Sequence, residues 1–304
     1  MPGNGLGRVA GRPLLVGEVL YDVFPGGRAV LGGAPFNVAW HLRGLGASPL
    51  LLSAVGGDPR GRAALAAMEG WGLDTDGVGV VPGYPTGEVE VRLEEGEPRF
   101  AILPDQAYDH LPAPDPEALR RRGPFALLYH GTLFARSPGN RQILDALPAA
   151  LGLPVFLDLN LRDPWWSPGD AATLAGRARW VKLNAWEMDL LAPGTGGESP
   201  AARAARLREA LGAEALFLTR GPGGALVASR SGVASAPAPP VRVVDTVGAG
   251  DAFSAVAILG LLAGWAPAVT LDRAVAFAAR VCEQPGATAD NPGLYAAIAA
   301  DWLP

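Results

Sequence analysis

Cysteine is almost missing from this chain, and that gap excludes a good deal. In 304 residues there is one, Cys282. An intramolecular disulfide is therefore impossible, and a zinc cluster lacks its ligand set. A catalytic thiol would want a histidine partner, and only His41, His110 and His130 are present; Cys282 reads instead as a small buried hydrophobe. Long basic runs are also absent. The densest is Arg120-Arg121-Arg122 and the formal net charge is -5, so nucleic acid finds little electrostatic support. No apolar run lies between Met1 and Arg12, so no signal peptide is expected. The uncharged stretch 252–271 has the length of a membrane span, but Gly260, Gly264 and Pro267 interrupt it. It reads as a buried helix, a turn and the start of the next helix. The expectation is a cytoplasmic protein with no membrane or nucleic-acid partner. Two nucleotide signatures are missing as well. G-x-G-x-x-G does not follow the first strand and G-x-x-x-x-G-K-[ST] does not occur, which argues against a dinucleotide oxidoreductase and a P-loop kinase.

What is present is a chain able to bury a large core, with 49% hydrophobic and 18% charged residues. The 41 glycines and 29 prolines follow no repeat and read as turns. The segment 13–21 is Leu- and Val-rich and predicts a buried first strand, and Pro25-Gly26-Gly27 predicts a hairpin over 23–31. Helices are expected at 33–45 and 59–71, with a strand at 49–55 between them. Next come three short alternating pieces at 78–81, 87–93 and 99–103 with no helix among them, expected as a small antiparallel sheet. Strands at 125–130, 154–159, 180–183 and 215–219 then alternate with helices at 138–151, 171–177, 185–191 and 201–211. Helical segments near 249–262, 271–282 and 294–300 close the chain. Such alternation implies a mostly parallel sheet covered on both faces, that is, a three-layer αβα sandwich. No linker separates two large domains, so residues 1–304 are expected to form one domain, with lid segments at about 23–31 and 77–104.

The strongest chemical signal is Asp245-Thr246-Val247-Gly248-Ala249-Gly250-Asp251, followed by an apolar helix. Gly248 and Gly250 let backbone approach an anion closely. The helix start turns free amides and a positive dipole end toward negative charge. Asp251 places a carboxylate in the first turn, where the dipole should keep it ionised at neutral pH. Phosphoryl transfer can use such a weak base, because the acceptor proton becomes acidic late, while the amides of Ala249, Gly250 and Asp251 hold the moving charge. The plain alternative is an N-capped helix with an early Asp.

In its motifs the sequence resembles the ribokinase-like carbohydrate kinases, also called the phosphofructokinase B family. The string from Asp245 to Asp251 matches the C-terminal signature D-T-x-G-A-G-D. Gly32-Gly33-Ala34-Pro35-Phe36-Asn37-Val38-Ala39, Leu45-Gly46 and Gly56-Gly57-Asp58-Pro59-Arg60-Gly61 match the N-terminal one. The resemblance spans essentially the whole chain. It implies a ribokinase-like fold with a small β-sheet lid, ATP and Mg2+ as cofactors, and a sugar as substrate. It makes Asp251 the base and Gly248, Ala249 and Gly250 the anion hole, and it puts Asp22, Gly32, Gly33 and Asn37 at the sugar. Alone, Asp22 is a strand-end turn residue and Asn37 an early helix residue. Asn184-Ala185-Trp186-Glu187 matches the N-x-x-E motif, in which Glu187 acts on Mg2+ through water; by position it is also a capping box. Lys182, Thr219, Gly221, Gly224 and Gly286 are implied along the nucleotide. Asp245 is implied at a monovalent-cation site such as K+, although Gln284-Pro285 departs from the usual basic pair.

Two segments bear on the acceptor. Asp158-Leu159-Asn160-Leu161-Arg162, with Trp165-Trp166, resembles the D-x-N-x-R segment of fructokinases and 2-keto-3-deoxygluconate kinases. Asn160 would approach ATP phosphates or the sugar, and Arg162 a phosphate or a substrate anion. Asp105-Gln106-Ala107-Tyr108-Asp109 resembles the fructokinase-like branch. Fructose or a related ketose is the expected substrate, followed by 2-keto-3-deoxygluconate and ribose; an acid would want cations such as Arg92 and Arg99 near the lid. The resemblance also implies a homodimer paired through the lid. A sugar sensor without activity on the same scaffold would be expected to lose Asp251 or its glycines, and here both are kept.

Overall fold

The structure is a computed structural model that describes residues 11–94, 97–194 and 197–302. The chain opens with β1 (Arg12–Val16), β2 (Leu20–Val23) and β3 (Ala29–Gly32), followed by α1 (Ala34–Gly44), β4 (Leu50–Gly56) and α2 (Pro59–Trp71). Then come β5 (Val78–Val81), β6 (Gly87–Glu94), β7 (Glu97–Ile102), α3 (Pro116–Arg122), β8 (Phe125–His130) and α4 (Pro138–Leu151). The second half runs β9 (Val155–Asp158), α5 (Pro168–Arg177), β10 (Trp180–Asn184), α6 (Ala185–Leu191), α7 (Pro200–Leu211) and β11 (Ala215–Thr219). It ends with β12 (Ala225–Ser229), β13 (Gly232–Ala236), α8 (Ala249–Ala263), α9 (Pro267–Val281) and α10 (Pro292–Trp302).

Nine strands form one sheet in the order β13-β12-β11-β10-β9-β8-β1-β4-β5. All neighbours from β11 to β5 pair parallel, and the hairpin strands β12 and β13 add antiparallel at one edge. Side-chain alternation along each strand sorts the core into two faces. Leu15, Leu51, Tyr129, Phe156 and Phe217 pack with α1, α8 and α9 on one face. On the other, Leu14, Val16 and Leu128 pack with α4, while Leu157, Val181 and Leu216 pack with α5 and α7. The result is a three-layer sandwich. The uncharged stretch 252–271 is, as expected, the body of α8, a turn at Gly264 and the start of α9.

A second sheet, β3-β2-β6-β7, stands beside the first. Its make-up corrects the sequence reading in three respects. The strand expected over 13–21 is broken in two, and β2 leaves the main sheet for the second one. At the break the backbone of Gly17 passes so close to Pro35 that a Cβ there would lie 2.2 Å from the proline Cγ. The segment 78–81, expected in the lid, is instead the parallel edge strand of the main sheet against β4. The second sheet is also not purely antiparallel, because β2 and β6 run parallel from the pair Leu20 and Gly87. Helix α3 was missed, although Asp115 at its N-cap, Pro116 after it and Arg120, Arg121 and Arg122 in its last turn announce it. Among the described residues, no helix is long and apolar enough to cross a membrane.

Candidate active site

Helix α8 begins where its glycine turn ends. Gly248, the N-cap, is left-handed at φ 79°. A Cβ there would also lie 2.5 Å from the Ala287 Cα, so only glycine meets both the angle and the neighbour. The regular ladder starts with the Ala252 amide donating to the Gly248 carbonyl (2.8 Å), and the Ala249 amide turns back to the Thr246 carbonyl at 3.3 Å. Helix geometry thus leaves the amides of Gly250 and Asp251 for an outside acceptor, two rather than the three expected from sequence.

Asp251 stands at this helix start. Its Oδ2 accepts a 2.7 Å bond from Nδ2 of Asn37 on α1. The residue keeps a partly exposed edge, yet burial of the carboxyl raises its pKa to about 7, opposed by the Asn37 bond and reinforced by Asp158. The expected dipole-driven depression is therefore corrected: desolvation outweighs the helix end and raises the Asp251 pKa.

Asn37 links this carboxylate to Gly32 and Asp22. A Cβ built on Gly32 would lie 3.7 Å from Asp22 Oδ2 and 3.9 Å from Asn37 Oδ1, so both oxygens converge on that glycine. Asn37 Oδ1 is buried without a hydrogen-bond partner. Burial raises Asp22 to about 6, against the pull of Arg162. Arg162 is exposed and lowers Asp251 as well, which sets it on the open side of the same pocket. The Arg92 and Arg99 side chains lie outside the described residues.

Beneath the turn runs a buried polar network that the sequence did not disclose. Lys182, the only lysine in the chain, donates from Nζ to Asp158 Oδ1 at 2.7 Å. Ser254 of α8 donates to Asp158 Oδ2 at 2.7 Å, and the Tyr129 hydroxyl reaches the same oxygen at 3.3 Å. A Cβ on Gly250 would lie 3.0 Å from the Lys182 Nζ, so the ammonium sits directly under the anion turn. Burial alone would lower the Lys182 pKa, but Asp158, Glu187 and Asp251 together lift it above its ordinary value.

The remaining candidates lie at the carboxyl ends of parallel strands, where open α/β sheets bind ligands. Asn184 caps α6, accepting from the Glu187 amide at 2.9 Å, and Glu187 Oε2 accepts from the Asn184 amide at 2.8 Å. Glu187 Oε1 takes the Leu161 amide at 3.0 Å, pinning the segment that carries Asn160 and Arg162. The capping box is thus real, and Glu187, 1% exposed, spends an acceptor site of each oxygen on backbone. Its pKa is raised by burial. No group of three or more acids, histidines or cysteines able to hold a metal occurs among the described residues. The donor set therefore does not form a magnesium cage.

The Thr132 hydroxyl donates to the Asn160 carbonyl at 2.8 Å and accepts from the Asn160 amide at 3.4 Å. Thr219, paired with Asn184 across β10 and β11, donates to the Leu183 carbonyl at 3.4 Å, and Gly221 and Gly224 shape the turn after it. Asp245 accepts from the amides of Val247 and Gly286, both at 3.0 Å, tying the loop after α9 to the glycine turn. Cys282 is half-buried in that loop rather than in the core.

Glu18 was missed by the sequence reading. It sits in the break between β1 and β2, 4% exposed. Burial raises its pKa to about 7, against the amides of Glu18 and Ala34 and with Asp251 adding to the rise. The signal was available: one acid inside the apolar run Leu14–Leu20 needs a reason to be there.

A buried carboxylate held by Asn37 at an amide-bearing helix start suits phosphoryl transfer to an alcohol. Comparison with known proteins agrees. The pfkB family carbohydrate kinase profile matches residues 25–294. A fructokinase of Klebsiella pneumoniae is 30% identical over 268 residues, 84% of this chain and 85% of its own. Among solved structures, the PfkB protein from Polaromonas sp. JS666 is 27% identical with a TM-score of 0.76, covering 91% of this chain and 98% of its own. A double mutant of the fructokinase from Vibrio cholerae O395, solved in its fructose-, ADP- and potassium-bound form, has a TM-score of 0.77 at 24% identity, with 97% and 99% coverage. The chain belongs to the pfkB family of carbohydrate kinases.

Proposed function

We propose that the protein is an ATP-dependent sugar kinase that transfers the γ-phosphate to a primary hydroxyl of a small sugar, with fructose or a related ketose ahead of 2-keto-3-deoxygluconate and ribose. The observation that carries this reading is the 2.7 Å bond from Asn37 to Asp251 at the start of α8. It fixes one carboxylate oxygen and leaves the other for an alcohol, beside the spare amides of Gly250 and Asp251. Asp251 takes the hydroxyl proton as the sugar oxygen bonds to phosphorus and the bond from phosphorus to the ADP oxygen breaks. The two amides and the Lys182 ammonium hold the charge that develops on the phosphoryl oxygens. Magnesium would enter this scheme with the nucleotide phosphates, with Glu187 reaching it through water. A monovalent cation beside Asp245 belongs to the same reading, supported by the potassium in the Vibrio cholerae structure. So does a homodimer through the second sheet, whose edge strand β7 exposes Phe100, and a cytoplasmic setting where ATP is at hand.

The test is ATP consumption over a sugar panel with wild type and Asp251→Asn. The amide keeps the shape and loses the basicity, so kcat should fall by about 10²–10⁴-fold. Unchanged turnover in that variant would reject the assignment. Fructose should exceed the keto acid in kcat/KM by more than about tenfold, and the reverse ranking would replace the substrate while keeping the kinase.

A further inference from the structure

Behind the Gly32-Gly33 turn lies a set of buried polar atoms that the transfer step does not use. Glu18 Oε2, Nη1 of Arg136 and the Tyr108 hydroxyl are all buried without a hydrogen-bond partner. Glu18 is 4% exposed, Tyr108 0% and the Arg136 side chain 4%. One such atom is unremarkable, but several in one neighbourhood, of complementary kinds, call for a ligand, because an unsatisfied buried polar group is destabilising.

The positions of these groups are well determined by their surroundings. Arg136 donates from Nε and Nη2 to the two oxygens of Asp109 at 2.7 and 2.6 Å, and from Nη2 to the Leu103 carbonyl at 2.8 Å. Its guanidinium lies between the rings of Tyr108 and Trp165, 4.9 and 4.5 Å from their centroids. Only Nη1 is left over. Glu18 backs onto the Gly33 turn. A Cβ on Gly33 would lie 3.3 Å from the Glu18 Cγ, and the carboxyl feels the charges of both Asp251 and Arg136.

We propose that Glu18, backed by Nη1 of Arg136 and the Tyr108 hydroxyl, is a specificity-determining subsite at the inner end of the acceptor pocket that receives a neutral hydroxyl of the sugar and disfavours a sugar acid. The charge balance gives the direction. Asp109 neutralises Arg136 in a two-pronged pair, so no net positive charge remains for a substrate carboxylate. A hydroxyl both donates and accepts, which matches an acid beside a guanidinium and a phenol. The inference rests on the sugar-kinase reading and names the acceptor class within it.

The test compares wild type, Glu18→Gln and Tyr108→Phe, leaving the pair of Arg136 and Asp109 intact. Binding of fructose and of 2-keto-3-deoxygluconate is read by calorimetry without nucleotide, alongside KM, kcat and Tm. Both variants should weaken fructose binding by about tenfold, with the loss falling mainly on KM, and should narrow the preference over the keto acid. Tyr108→Phe removes a single oxygen and stays informative if Glu18→Gln fails to fold. Equal weakening for both ligands together with a lowered Tm would mean that the cluster holds only a structural water, and the subsite would be wrong. Unchanged binding would overturn it too. Sugar binding without turnover in the wild type would reject the kinase reading while the binding comparison still judged the subsite.

Discussion

Lys182 shows how far a single residue can be read from sequence and where that reading stops. The family resemblance put it near the nucleotide, but its partner, Asp158, is 24 residues away and appears only when β9 and β10 pair. Ser254 and Tyr129, the other ligands of Asp158, come from α8 and β8. No local spacing announces such a network. Asp251 is the opposite case, legible in identity and position but not in proton affinity, because desolvation depends on what packs around it. The buried pair yields a prediction. Lys182→Met leaves the Asp158 carboxylate in the core with two hydroxyl donors and no cation, which should cost about 3–5 kcal/mol in urea unfolding. The double variant Lys182→Met, Asp158→Asn should recover part of that loss, since the uncompensated charge is gone. A double variant as unstable as the sum of the singles would show that the two side chains are not coupled.

Elements were legible where punctuation is local. Proline near the start and glycine after the end framed 59–71 and 138–151, and both helices form over those ranges, α2 and α4. The failures were of pairing. Nothing within 78–81 says that its partner is β4, and the break at Gly17 depends on Pro35, eighteen residues further on, folding back over it. The start of α8 combines both kinds of information. Its glycine turn is a sequence motif, but Gly248 is required there also by Ala287 in the loop after α9. Gly248→Ala should therefore do more than strain one angle. The left-handed conformation alone costs about 1–2 kcal/mol for an L residue, and relieving the clash must push the loop that Asp245 holds through the Gly286 amide. The expected outcome is a lowered Tm together with a fall in kcat, as the amides of Gly250 and Asp251 lose their aim. A variant that loses stability but keeps full kcat would show that the turn does not position the phosphoryl-binding amides.

At the scale of the whole molecule, the interior holds two sets of titrating groups that act on stability in opposite senses. Asp22, Glu18 and Asp251 have pKa values raised to about 6, about 7 and about 7, against roughly 4 in an unfolded chain. The folded protein keeps their protons where the unfolded chain has released them, so their contribution falls as the pH rises from about 4 to about 7. His41 and His130 run the other way. Burial lowers both to about 4, against roughly 6.5 unfolded, so the unfolded chain takes up protons that the folded one refuses and their contribution is lost as the pH falls. Between about pH 4.5 and 6, the protons that Asp22, Glu18 and Asp251 keep on the folded side oppose the two imidazolium protons on the unfolded side. Among these five groups the net sense is downward with rising pH, because the three acids outnumber the two histidines. Replacing Glu18 by Gln and Asp251 by Asn removes two of the protons that the folded side keeps, so the Tm of the double variant should rise with pH relative to wild type over the same range. A wild-type Tm that already climbs steeply there would mean that the three acids are ionised in the native protein, and the acceptor pocket would then carry far more negative charge than its buried geometry implies.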